Sequence, residues 1–324
     1  MMTFISLLPF VLLMVLAQLG RRSSTMAVLT HVFLLFANLM GLLLGLALLW
    51  ASRMPELMTA APIQVGMDVI YIMGETLVVT SIVATVLMVP LVQRLLRLFM
   101  SIRPGDPVHT TALVFACYAL GGTLVQAPLL ESLKDLGTLT SLPPSELFGQ
   151  ALAFILLAFV GVGGGINRSW RDACARLGLA WPRRREWKVA ISGTVALVIM
   201  QSALGAAWMA FSPQSAERVN ELTQLLLGNF FNPVGAVLLG VAAGTSEELV
   251  FRGALQPRFG LLLTSVLFAF IHVQYALSFA LVIIFLLALG LGIIRKRVNT
   301  TAAIIAHSLY NTILVIAAIL VPSS

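Results

Sequence analysis

Charge is scarce in this chain. Asp, Glu, Lys and Arg make up 10% of its 324 residues, against roughly 25% in a typical soluble domain, and that shortage excludes an ordinary water-facing globular surface. Cysteine is scarcer still. Cys117 and Cys174 are the two present, too few for a disulfide framework or a cysteine metal site, and both read as structural thiols. Low-complexity tracts and internal repeats of fixed period are also missing, which excludes repeat arrays. Acidic residues, at 13, are outnumbered by 20 basic ones.

What the chain has instead is apolar length. Hydrophobic residues reach 59% and the mean hydropathy is +1.00. Runs of about 20 apolar residues mark membrane spans, and they fall at 3–19, 28–50, 68–92, 108–129, 147–166, 189–211, 233–255, 260–277, 279–294 and 300–321. The expected fold is therefore all-α, a polytopic membrane helical bundle of about ten transmembrane spans. Charge placement supplies an orientation, because cytoplasmic loops collect Lys and Arg. With the N-terminus outside, every basic residue except Arg53, Lys134 and Arg218 falls in or beside one set of loops, including Arg252, Arg258 and the cluster from Arg168 to Lys188. Both termini are then extracytoplasmic. The first segment has no basic residue before its apolar run and Arg21 and Arg22 just after it, so it reads as a retained span rather than a cleaved signal. The net charge of +7 becomes one basic membrane face, suited to anionic headgroups and not to nucleic acid.

Organisation is bipartite: residues 1–166 form an N-terminal membrane region of about five spans, 167–188 a basic cytoplasmic interfacial linker, and 189–324 a core of about five more. Within the linker, RDACARLGL suits a short helix on the membrane surface. A second amphipathic stretch, 215–231, lies toward the opposite face and either covers the core or leads into the seventh span.

Against this background the segment GTSEELVFRGAL at 244–255 is anomalous, since carboxylates inside a bilayer are costly and mark function by default. Other ionisable groups share its depth. Glu247 lies about 11 residues before the turn near Arg258, His272 about 12 after Gly260 and His307 about 10 after Arg297, which sets all three roughly 15–18 Å from the basic face. Glu248 and Arg252 stand four apart and can pair along one helix face. His307 and Asn311 are also four apart and share a side of their helix, while Phe268 precedes His272 by one turn and can wall it. A carboxylate in an apolar pocket and a neighbouring imidazole can together deprotonate water, the part read for Glu247 and His272. An imidazole N–H and a side-chain amide can hold an oxyanion, the part read for His307 and Asn311. Glu248 and Arg252 are then support, neutralising the second carboxylate.

In this order, EExxxR (Glu247, Glu248, Arg252), FxxxH (Phe268, His272) and HxxxN (His307, Asn311) resemble the CPBP or Abi family of intramembrane endopeptidases. That family includes type II CAAX prenyl proteases and bacteriocin-processing or immunity proteins. The resemblance spans roughly 170–324 and implies a glutamate-dependent intramembrane peptidase of the cell membrane, entered from the cytoplasmic side. Its substrate would be a membrane-associated peptide or lipidated protein, cut in CAAX-type or in bacteriocin or signal-peptide processing. No cofactor is favoured. If zinc is present, Glu247, His272 and His307 are its candidate ligands, yet HExxH is absent and Glu247 as ligand would leave no evident general base. GxSG and GxGD motifs are absent too, the nearest being AISG at 190–193 and GVGGGIN at 161–167. Two other classes stay in view: a non-proteolytic immunity or scaffold protein of the same fold, and a proton-coupled transporter, against which the lack of an inverted repeat counts. Elsewhere, His31 and His109 read as packing or interfacial residues. Asp68 and Glu75 read as a polar pocket or an interfacial hydrogen bond, and GLLLG at 41–45 as small-residue helix packing.

Overall fold

The computed structural model describes residues 4–54, 66–272 and 278–320. Across those residues the secondary structure is helical. In chain order the helices are α1 (Phe4–Leu19), α2 (Ser24–Ala51), α3 (Met67–Leu87), α4 (Pro90–Leu96), α5 (Pro107–Asp135), α6 (Pro144–Gly161), α7 (Trp170–Leu177), α8 (Arg184–Phe211) and α9 (Pro213–Leu227). They continue through α10 (Pro233–Glu248), a π-helical turn (Leu249–Leu255), α11 (Gln256–Phe270), α12 (Phe279–Arg297) and α13 (Thr300–Leu320).

The starts of these helices are written locally. Proline, whose missing N–H costs nothing at a first helical position, opens α4, α5, α6, α9 and α10. Asp106, Ser169, Asn232 and Ser278 cap α5, α7, α10 and α12 by accepting backbone N–H groups. The interfacial helix expected in the basic linker is α7, closed by Gly178 in the left-handed conformation at φ 75°.

Among the described residues eight helices are long and apolar enough to cross a membrane, and α1 is a shorter apolar helix. The protein is thus a polytopic helical membrane bundle. One of the eight, the run Pro233–Phe270, holds two of the expected spans. It does not continue straight: Gly260 has φ 80° and ψ 170°, a region open essentially to glycine, and Arg258 gives its carbonyl to the Ser101 N–H at 2.7 Å instead of to the helix. Were the run straight, Glu247 and His272 would stand about 37 Å apart. Their side chains approach to 3.8 Å, so the chain reverses at Gly260. Of the eighth expected span, residues 273–277 lie outside the described residues, as do the first residue of the first span and the last residue of the tenth.

Close helix contacts rest on glycine. Gly240 and Gly244 of α10 face α13 so tightly that an added Cβ would sit 2.6 Å from the Ser308 carbonyl oxygen and 2.7 Å from its nitrogen, respectively. GLLLG performs the packing expected of it, Gly45 of α2 lying against Gly74 and Val78 of α3. The two ends of the chain meet in the middle of the bundle, where α6 packs on α1, on α10 and on the π turn.

Candidate active site

α10 and its π turn, α11 and α13 bring the three motifs together. Glu248 is fully buried and sits between two partners. Its Oε1 accepts from His307 Nδ1 at 3.0 Å and its Oε2 lies 3.3 Å from Arg252 Nε. The Glu248–Arg252 pair expected from their spacing is present, on a π turn rather than on an α-helix. Arg252 itself is 1% exposed, which corrects its placement among the basic loops: it belongs to the core. There its guanidinium stands 4.5 Å over the Phe268 ring and Nη2 donates to the Ala288 carbonyl at 3.3 Å. Phe268 walls His272 as expected, with centroids 4.7 Å apart, and also meets His307 edge-on at 5.8 Å. One fully buried ring therefore sets the positions of two imidazoles and a guanidinium.

Hydrogen bonding fixes which ring nitrogen each histidine presents. His272 Nδ1 lies 2.7 Å from the Phe268 carbonyl oxygen; a carbonyl can only accept, so Nδ1 carries the proton and the neutral ring offers Nε2 as a base. That Nε2 is the atom 3.8 Å from Glu247 Oε2, a buried oxygen that makes no hydrogen bond among the described residues. The Glu247 carboxylate and the His272 ring nitrogen thus stand side by side. For His307 the same logic changes the expectation. Its Nδ1 proton is committed to the Glu248 carboxylate, so Nε2 donates only when the ring is doubly protonated. Glu248 thus holds the His307 ring as well as pairing with Arg252. This second contact escaped sequence reasoning, since 59 residues separate the two side chains.

The π turn supplies the geometry and leaves carbonyls outside the regular helical ladder. Side chains satisfy them. Arg176 of α7 donates to the Gly253 and Ala254 carbonyls at 3.0 and 3.4 Å, and Arg295 Nε to the Arg252 carbonyl at 3.1 Å. No spacing rule could have disclosed these braces, which join residues 77, 78 and 43 positions apart.

Glu247, His272, His307 and Asn311 all line one cavity of about 1040 Å³. Its walls come from both ends of the chain, including Leu7 of α1, Gln126 of α5, Phe154 of α6 and Thr223 of α9. The amphipathic helix α9 thus covers the core, one of the two roles expected for it. Among the described residues no group of three or more His, Cys, Asp or Glu is placed to hold a metal ion. Of the other histidines, His31 lies outside this cavity, whereas His109 lines it beside Arg21. His31 bonds the Ala27 carbonyl at 2.8 Å within its own helix, and His109 accepts the Arg103 N–H at 2.8 Å. Tyr71 donates to Glu75 at 2.6 Å on an exposed face, and both cysteines are unpaired.

Comparison with curated proteins and with solved structures returns no match. A family model does match: residues 228–313 fit the type II CAAX prenyl endopeptidase Rce1-like family. The matched segment contains all three motifs, and it supports a CAAX-type intramembrane protease in general. The match supports a CPBP or CAAX protease-like family for residues 228–313, within a helical membrane protein.

Proposed function

We propose that this protein is a glutamate-dependent intramembrane endopeptidase. The observation that carries the reading is the pair Glu247 Oε2 and His272 Nε2, 3.8 Å apart in the wall of a cavity of about 1040 Å³. Water held there loses a proton to the pair as its oxygen attacks the scissile carbonyl. The resulting oxyanion is met by the Asn311 amide and by Nε2 of a protonated His307 whose charge Glu248 balances. Collapse of the tetrahedral intermediate breaks the C–N bond, and the proton taken from water passes to the leaving amine. Glu248, Arg252 and Phe268 hold these groups without touching substrate.

The substrate in this reading is a membrane-associated peptide or lipidated protein, as in CAAX-type C-terminal, bacteriocin or signal-peptide processing. The basic face lies toward the cytoplasm and anionic headgroups, both termini lie outside the cell membrane, and substrate enters from the cytoplasmic side. Charge asymmetry between loops supports that orientation. Glu247, His272, His307 and Asn311 together complete the chemistry without zinc.

The test is proteolysis by purified protein on prenylated and unprenylated peptides, read by mass spectrometry, comparing wild type with Glu247→Gln, each with and without a chelator. Cleavage that survives chelation and disappears in the variant is the expected result. Loss on chelation would establish a metal-dependent site, and a phenotype untouched by Glu247→Gln would favour the immunity or scaffold reading.

A further inference from the structure

The cavity that holds the catalytic candidates has a second polar region at its basic end. Four guanidiniums line it there: Arg21 after α1, Arg168 before α7, Arg176 of α7 and Arg258 of α11. Only Arg21 has a carboxylate partner, pairing with Asp106 through two contacts of 2.9 Å. The other three donate to backbone carbonyls, Arg168 to Val162, Arg176 to Gly253 and Ala254, and Arg258 to Ser101 at 3.3 Å. Among the described residues none of these three forms an ion pair, and the one carboxylate that acts on the cluster is Asp106, which holds Arg21 and also attracts Arg258. The crowding is felt: burial pushes the Arg176 guanidinium down to about 10, and Arg258, Arg168, Arg295 and Arg21 press in the same direction. It still stays charged at neutral pH. Three of the four arginines lie outside the matched segment 228–313, so the family likeness does not assign them.

Toward the far end the polar lining changes character. Gln126 stands late in α5, Gln150 early in α6, and Asn220 and Gln224 on α9, with Gln201 midway along α8. Amides pair donor and acceptor as a peptide backbone does, whereas an acyl chain gains nothing from them. The cavity is thus cationic at one end and amide-lined at the other.

We propose that Arg168, Arg176 and Arg258 form a binding site for the C-terminal carboxylate of a peptide whose backbone continues along the cavity past Glu247, Arg21 being held beside them by Asp106. Planar guanidinium forks match a carboxylate in geometry and charge. Arg258 is 11 residues beyond Glu247, about 16 Å of helix, which an extended peptide covers in about four or five residues. That last consequence rests on the peptidase reading; the binding site does not.

Binding can therefore be tested without cleavage. The protein carrying Glu247→Gln, in nanodiscs of phosphatidylcholine, is titrated into a short fluorescein-labelled peptide of Ala, Val and Leu ending either in a free carboxylate or in a carboxamide. The acid is expected to bind about tenfold to a hundredfold more tightly, the range of a charge-assisted bond. Arg168→Gln with Arg258→Gln should bring the acid down to the level of the amide, and Arg258→Lys alone should retain part of the preference. Unchanged affinity for the amide shows that the cavity in these variants is intact. Equal binding of acid and amide to the unaltered arginines overturns the proposal. So does loss of the preference when phosphatidylglycerol is added to the nanodisc, since the arginines would then be a lipid headgroup site. A clear preference for the acid in a protein whose wild type cuts nothing would keep the binding site and sink the peptidase.

Discussion

Glu248 shows how much depends on a single side chain. It touches both His307 and Arg252 while fully buried, and a buried charge stripped of its partner costs about 3–5 kcal/mol. Arg252→Met should therefore lower stability by about that amount in thermal unfolding of the solubilised protein. Adding Glu248→Gln to the same chain should recover part of the loss, because the orphaned charge disappears; additive losses would mean the pair does not interact. Catalysis should respond differently. In the proposed mechanism Asn311 is an oxyanion donor, so Asn311→Ala should reduce kcat by about a hundredfold to a thousandfold with little change in KM. An equal rise in KM with kcat intact would make Asn311 a ground-state contact. Much of this was legible in the chain: the spacing of Glu248 and Arg252, of His307 and Asn311, and of Phe268 and His272 follows from helical periodicity. The Glu248–His307 bond was not, since it needs two helices brought side by side.

Elements add constraints that no single residue carries. α10 and α13 approach through Gly240 and Gly244, so Gly244→Val must push a branched side chain into the Ser308 backbone. Overpacking of this kind costs about 1–3 kcal/mol, and because α13 carries His307 and Asn311, activity should fall further than stability. Gly260→Ala isolates a different cost. Nothing lies within 4 Å of an added Cβ there, so only the backbone conformation resists, at about 1–3 kcal/mol. A wild-type melting temperature for Gly260→Ala would mean the chain does not reverse at this residue. α9 buries Ala216 and Val219 against Trp208 and Ile283, and its outer face carries two exposed pairs, Lys134–Glu221 at 2.7 Å and Arg218–Glu131 at 3.8 Å. The Lys134 hydrogen bond keeps the Glu221 carboxyl below its usual range. A depressed carboxyl contributes stability above its unfolded value and loses it as pH falls through the folded one. The amide protection factors of α9, taken relative to the intrinsic exchange rate at each pH, should therefore fall on acidification, and more so in wild type than in Lys134→Met.

At the scale of the molecule, charge asymmetry makes the orientation measurable. Arg171 lies on the basic side and Leu136 at the opposite end of α5. In intact cells expressing an otherwise cysteine-free protein, Leu136→Cys should react with a membrane-impermeant maleimide while Arg171→Cys should react only after permeabilisation. The reverse pattern would invert the proposed topology and move substrate entry to the outer face. The same scale explains why the N-terminal region cannot be discounted. Leu7, Arg21, Gln126 and Phe154 come from it, yet they line the cavity that holds Glu247.

The sequence by itself determined the class of the protein, because apolar length against bilayer thickness is a one-dimensional property. It also determined the composition of the motifs and the internal spacing of each, because residues three or four apart share a helix face wherever the helix goes. Only the tertiary structure decided which groups face each other: that Glu248 holds His307, that Arg252 leaves the basic face for the core, and that four arginines from separated segments meet at one cavity mouth. Those contacts are set by where chain reversals and glycine seams let helices approach, and side chains 59 to 78 positions apart share no local periodicity that could announce them.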